Sequence, residues 1–256
     1  MKVRPWVVAA ICLGTLAAWT PFSPPTAKRY RLDLKTSVSQ DLTVLGQGVQ
    51  TTNFSNTGYI TMSTQDSAGG QAVTLVLDSL VTGDSSPISP EAAKGAAGVK
   101  WHGFRQATGK VQGLKLEGNN DVAGAIEPAL QELIPPIKPG THEGQVWTDT
   151  SDTENDGVAV RTVTNFQTST EAFQGTKVLR LAGAFSSAMS GQRTGPQGTL
   201  TIEGTATGTN SWLLGTDFTC LAGTHSAVQN LSLSLAQIPQ PIPVTVKTEG
   251  SATLLK

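Results

Sequence analysis

From Lys28 onward, hydrophobic and polar residues alternate in short runs, the period of strands with one covered and one wet face. In KRYRLDLKT, Tyr30, Leu32 and Leu34 share a face. DLTVLGQGVQ puts Leu42 and Val44 in phase ahead of glycines that allow a bend. TTNFSNTGYITMST continues the pattern. QAVTLVLDSLV follows, with Val73, Leu75 and Leu77 on one side and Val76 and Leu80 on the other. Ala68, Gly69 and Gly70 predict the hairpin turn between these two runs. VKWHGFR and KVQGLKLEG form a further hairpin around QATG. Later in the chain, GQVWTDTSDTENDGVAVRTVTNFQTS reads as two strands about an Asn155-Asp156-Gly157 turn. FQGTKVLRLAGAF and GTLTIEGTATGTNSWLL add strands, and residues 218–235 hold one or two, joined at about Ala227. In PIPVTVKTEGSATLLK, Pro241 and Pro243 mark a strand start or an edge. GDSSPISPEAAKGAAG and SSAMSGQRTGPQG lack a sustained period and predict loops.

Two segments depart from this pattern. In NNDVAGAIEPALQELIPPIKPG, Val122, Ile126, Ala129, Leu130, Leu133 and Ile134 fall on one helical face. Asp121 stands where a cap would stand. Pro128 predicts a bent helix or one beginning near Glu127, and Pro135, Pro136 and Pro139 end it. At the amino terminus, Lys2 and Arg4 precede an apolar stretch from Trp6 to Trp19, the order of a secretory signal or a membrane anchor. The best small-residue site for cleavage, Leu16-Ala17-Ala18, is followed by bulky Trp19, and Trp6 and Trp19 fit interfacial positions, so a retained anchor is favoured. Pro21, Pro24 and Pro25 then supply a stiff spacer. The expected organisation is a signal-anchor or transmembrane helix over 1–25 and an extracytoplasmic β-rich domain over 26–256, with a sub-boundary near 135–140. The expected location is the cytoplasmic membrane, single-pass, with the C-terminal domain in the periplasm.

The fold class expected is mainly β: a large curved antiparallel sheet or incomplete barrel with one covering helix, preceded by the apolar amino-terminal helix. A two-sheet sandwich is the alternative, and two hinged β domains come third.

Composition narrows function by exclusion. Lys+Arg is 18 and Asp+Glu is 19, for a net charge of -1, so the chain carries no field for a nucleic-acid backbone. Its two cysteines, Cys12 and Cys220, form no zinc or iron–sulfur pattern. His102, His142 and His225 lie far apart, without metal-ligand spacing, and no G-x-S-x-G elbow or P-loop is present. Asp149, Asp152, Glu154 and Asp156 admit a calcium reading, but lack EF-hand spacing and read better as a wet hairpin tip. Neither catalytic residues nor a cofactor are therefore assigned. Trp101 and Trp147 stand among polar and glycine residues, and read as core packing or as contact hot spots.

The RYRLDLKT strand, HGF ahead of the GKVQGL hairpin, the PPIKPG linker into GQVWTDT and the late glycine–threonine strand resemble secreted bacterial β-rich proteins of a poorly characterised group. The chain is also similar, more loosely, to outer-membrane lipoprotein carriers, which bind acyl chains in an unclosed barrel. Its style further resembles gemmatimonad proteins, and some phototrophs of that kind carry extracytoplasmic subunits on a photosynthetic reaction-centre complex.

Two functions follow as expectations. The first is a non-catalytic, membrane-anchored accessory or scaffold subunit, with integral-membrane subunits and lipid as partners. Its membrane or partner contacts would be Trp6, Trp19, Phe22, Pro24, Pro25, Trp101 and Trp147. The second is a periplasmic carrier of a lipid or other hydrophobic ligand, with an apolar cavity between sheet and helix.

Overall fold

The computed structural model describes residues 26–106, 111–138, 140–155, 157–195 and 198–256. Alternating residues along this chain give eleven strands: β1 (Thr26–Asp41), β2 (Val49–Ser67), β3 (Gly70–Thr82), β4 (Lys100–Gln106), β5 (Val111–Leu116), β6 (Val146–Asn155), β7 (Val158–Phe173), β8 (Thr176–Gly195), β9 (Gly198–Leu214), β10 (Cys220–Leu235) and β11 (Ile242–Leu254). They form one antiparallel sheet in the order β5-β4-β3-β2-β1-β11-β10-β9-β8-β7-β6. Each half is a meander, and β1 pairs with β11 where the halves meet. β5 and β6 remain edges, so the sheet curls into a half-barrel and does not close. The edges are blunted: β5 is short, and β6 carries exposed Asp149, Asp152 and Glu154, charges that resist pairing with another strand.

Cross-strand partners share a face, so the register names the concave surface. One row runs Leu116–Trp101–Leu75–Met62 across β5 to β2. Another runs Leu32–Ala252–Gly223–Trp212–Leu181–Thr168 from β1 to β7. On the concave side of β7 to β10, large residues repeatedly oppose glycine. Phe166 faces Gly183, Phe185 faces Gly208, Trp212 faces Gly223 and Leu231 faces Gly204. A Cβ on Gly208 would lie 2.6 Å from the Phe185 ring, and one on Gly183 would lie 3.0 Å from Phe166. Curling crowds the inner face, and pairing large with absent side chains relieves that crowding.

Helix α1 (Pro90–Gly95) starts where Ser89 Oγ accepts a hydrogen bond from the Ala92 amide at 3.1 Å, with Pro90 in the first turn. It buries Ala93 and packs against β3. Helix α2 (Asp121–Leu130) starts where Asn120 Oδ1 accepts from the Ala123 amide at 3.0 Å. A single 3-10 turn, Gln131–Leu133, follows. Ala123, Ile126, Leu130, Leu133, Ile134 and Ile137 are buried in the same core as Tyr30, Ile60, Leu75, Leu77, Trp101 and Leu214. Burying each large aliphatic side chain there contributes about 1.5–3 kcal/mol.

Several expectations need correction. Leu42 and Val44 do not share a strand: Thr43–Leu45 form one tight turn, joined to the β1 end by the Thr43 amide bonding Asp41 Oδ1 at 3.0 Å. Residues 83–98 include α1 and are not wholly a loop, and 186–195 continue β8. β10 is one strand with no break at Ala227. α2 runs from Asp121 through the position of Pro128, neither beginning at Glu127 nor capped by Asp121. The expected covering helix is only ten residues long, with its contact at edge strand β5, while the 3-10 turn reaches β10.

The expected single-pass placement is also corrected. Among the described residues no helix is long and apolar enough to cross a membrane. Trp6, Trp19, Phe22, Pro24 and Pro25 lie outside the described residues. What the described chain offers is a curled sheet with an inner face, so the membrane-anchored scaffold function and its location at the cytoplasmic membrane are not carried forward.

Candidate functional site

The concave face divides along the strand direction. At one end, α2, the 3-10 turn and residues 134–137 complete a filled core. At the other end, nothing in the described chain covers the sheet's inner rows as that core is covered. Val38, Val246, Gln229, Ala206, Ser187 and Thr162 form one such row. Val244, Leu231, Gly204, Met189 and Val160 form the next. Of these side chains Val244 is buried, and the other large apolar ones are half-exposed. At the β1–β2 lip, Val38, Thr52 and Phe54 with Ser85 and Pro87 outline a hollow of about 180 Å³. A second hollow of about 300 Å³ lies at the β6–β8 rim, lined by Asp152, Ala159, Arg161, Ala188 and Ser190 of the outward face together with Thr153, Val160 and Met189. The result is an open trough whose floor mixes aliphatic side chains with small, hydroxyl and amide ones.

At the boundary between the two ends sits Glu132, in the 3-10 turn. Its backbone is fixed over the covered end: its carbonyl accepts a hydrogen bond from Trp212 Nε1 at 2.7 Å, with Cys220 Sγ at 4.0 Å. Its side chain reaches one row further along the strands. Both carboxylate oxygens lie 3.6 Å from where a Cβ on Gly250 would stand, and Oε1 is 3.4 Å from His225 Nδ1. Gly250 and His225 are cross-strand partners, so the carboxyl lies over that pair and points toward the trough.

His225 is held by its neighbours. Nδ1 lies 2.6 Å from Asn210 Oδ1, Nε2 lies 3.4 Å from Thr248 Oγ1, and the ring stacks on Phe185 at 5.9 Å. With Nδ1 protonated, the ring donates to Asn210 and leaves Nε2 to accept from Thr248. Burial pushes the Glu132 carboxyl up to about 7 and pushes His225 below its ordinary value. Both shifts favour uncharged forms, so desolvation outweighs ion pairing at 3.4 Å. Burial, then the neighbouring Glu132 charge, raises the Cys220 thiol to about 12, which leaves it unreactive.

The other candidates are dispersed. Trp101 is fully buried in the covered end. Trp147, half-buried on β6, stacks on Phe166 at 5.2 Å, with Lys138 Nζ 5.8 Å from its ring centre. His102 pairs with Glu117 at 3.1 Å on the exposed side. His142 bonds within its own loop, to the Gly140 carbonyl and Gln145. Asp149, Asp152 and Glu154 are exposed along β6, and Asp156 lies outside the described residues. Among the described residues, no group of three or more His, Cys, Asp or Glu side chains could hold a metal ion. Sequence reasoning passed over Glu132, whose signal was a lone carboxylate among Leu130, Leu133 and Ile134, in a run otherwise suited to burial.

Compared with models of known protein families and with curated proteins, the sequence matches none.

Proposed function

We propose that the protein is a non-catalytic binder of an elongated hydrophobic ligand, a lipid or a molecule like one. The ligand lies along the open part of the concave face, and the α2 segment with its 3-10 turn covers one end. The observation that carries this reading is the uncovered inner surface beyond the filled core, where half-exposed Val, Leu, Ile and Met side chains lie past a row of Thr36, Thr248, Ala227, Gly208, Phe185 and Thr164. Elongated shape follows from the sheet. From Gly250 to Ile242 the trough floor spans eight residue steps, roughly 27 Å at about 3.4 Å per step. The loose resemblance to carriers of acylated proteins belongs to the same proposal.

The test uses the full chain. Native mass spectrometry of the purified protein should retain a non-covalent acyl species, and N-phenylnaphthylamine fluorescence should report displacement by added lipid. Val246→Asp puts a charge on the trough floor and should weaken probe binding about tenfold or more. Val81→Asp, at a side chain 57% exposed, should leave binding unchanged. A wild-type protein that binds no apolar probe, or equal binding by both variants, overturns the reading.

A further inference from the structure

We infer that Glu132 reads the polar end of the ligand and selects amphiphiles whose head donates hydrogen bonds and carries no negative charge, an alkyl ammonium above all. The inference rests on the trough being the binding surface.

Three observations carry it. First, Glu132 is 91% removed from solvent, yet its only polar side-chain partner among the described residues is His225 at 3.4 Å. Second, the carboxyl is aimed. The backbone of residue 132 is tied to Trp212 in the covered row, while the carboxyl lies in the next row toward the open end. A chain lying along the floor therefore ends against this carboxyl. Third, the chemistry around it is one-sided. The carboxyl of Glu132 faces His225 from β10 and Gly250 from β11, while its backbone carbonyl meets Trp212 from β9 and Cys220 from β10. No lysine or arginine is among them. Asn210 already engages the imidazole at 2.6 Å. A carboxylate or phosphate head would meet a like charge in a desolvated place, which is costly. An ammonium head would supply the missing counter-charge, and a hydroxyl would supply a donor without charge. Stored protons fit this role as well: the carboxyl titrates near neutrality, so an arriving cation displaces a proton from it.

The experiment measures competition for N-phenylnaphthylamine by dodecylamine, dodecanol and dodecanoate, three ligands with one tail and different heads. It uses the full-length wild type and Glu132→Gln, which keeps size and shape. Wild type should prefer amine over alcohol over carboxylate. Glu132→Gln should cut the amine-to-alcohol preference about tenfold. In wild type that preference should also grow from pH 6 to pH 8, as the carboxyl ionises. Because the preference is a ratio within one protein, partial loss of folded variant does not change it. Equal binding of the three heads, or a ratio that Glu132→Gln leaves intact, overturns the inference while the trough still stands as a hydrophobic site. Failure of all three tails to compete overturns the trough reading itself.

Discussion

The two ends of the concave face are built from the same strands but differ in what lies above them. At the covered end, Tyr30, Ile60, Leu75, Leu77, Trp101, Leu181 and Leu214 are fully shielded by one another and by residues 121–137. At the open end, Val38, Val246, Leu231, Met189 and Val160 occupy equivalent inward positions on the same sheet, yet keep part of their surface in contact with solvent. Stability should therefore concentrate in the first and binding in the second. A strand with one end locked and the other bare holds its inner surface in shape without a ligand, so little ordering cost is left for the binding step.

The sharpest way to break this division is to truncate matched residues. Leu75→Ala should cost about 2–5 kcal/mol in a urea melt, through lost burial and the cavity left behind. Leu231→Ala, at a half-exposed inward position, should cost less than about 1.5 kcal/mol and instead weaken apolar-probe binding. Equal costs at the two sites would erase the distinction.

A second, somewhat smaller effect lies at the boundary. Glu132 holds its proton more tightly when folded, with its value raised from 4.5 to about 7. Between those values the native state binds more protons than the unfolded chain, so stability falls as pH rises through this window and levels off above it. The full swing has an upper bound of about 3 kcal/mol. Urea melts at pH 4.5, 6 and 8 should show that decline in wild type and a flatter profile in Glu132→Gln. An unchanged slope in the variant would assign the pH dependence elsewhere.

The smallest effect sharpens the picture of the covered end. Among the described residues, none hydrogen-bonds the Tyr30 hydroxyl or Trp101 Nε1, both buried there. Removing an unsatisfied hydroxyl while keeping the ring should raise stability, so Tyr30→Phe should gain about 1 kcal/mol by thermal melt. A loss instead would mean that the hydroxyl is satisfied in solution.

Much of the sheet was legible from alternation alone. Tyr30, Leu32, Val73, Leu75 and Leu77 sit inward as their spacing requires, and Gly69 and Gly157 fall between strands. Legibility failed where side chains are small. Ser186, Ser187, Ala188 and Ser190 carry no hydrophobic period, and they are strand because β7 and β9 flank them on both sides. α1 was missed although Ser89-Pro90-Glu91 has the form of a helix start, since a six-residue helix leaves too short a period to detect. The candidate site was harder still. Glu132, His225, Asn210 and Gly250 span well over a hundred residues of chain, and only the register brings them into one place.

The pairing of β1 with β11 has a consequence for biosynthesis. The β1–β5 meander can zip up from nearest-neighbour hairpins as it leaves the ribosome, and so can strands β6 to β10, but the seam between the halves needs Ile242–Leu254. Residues 121–137 arrive much earlier than β10, against which the 3-10 turn must dock. Until β11 has been synthesised, the nascent protein thus carries two five-stranded ribbons with a bare inner surface, and the stretch of greatest aggregation risk is the wait for Ile242–Leu254.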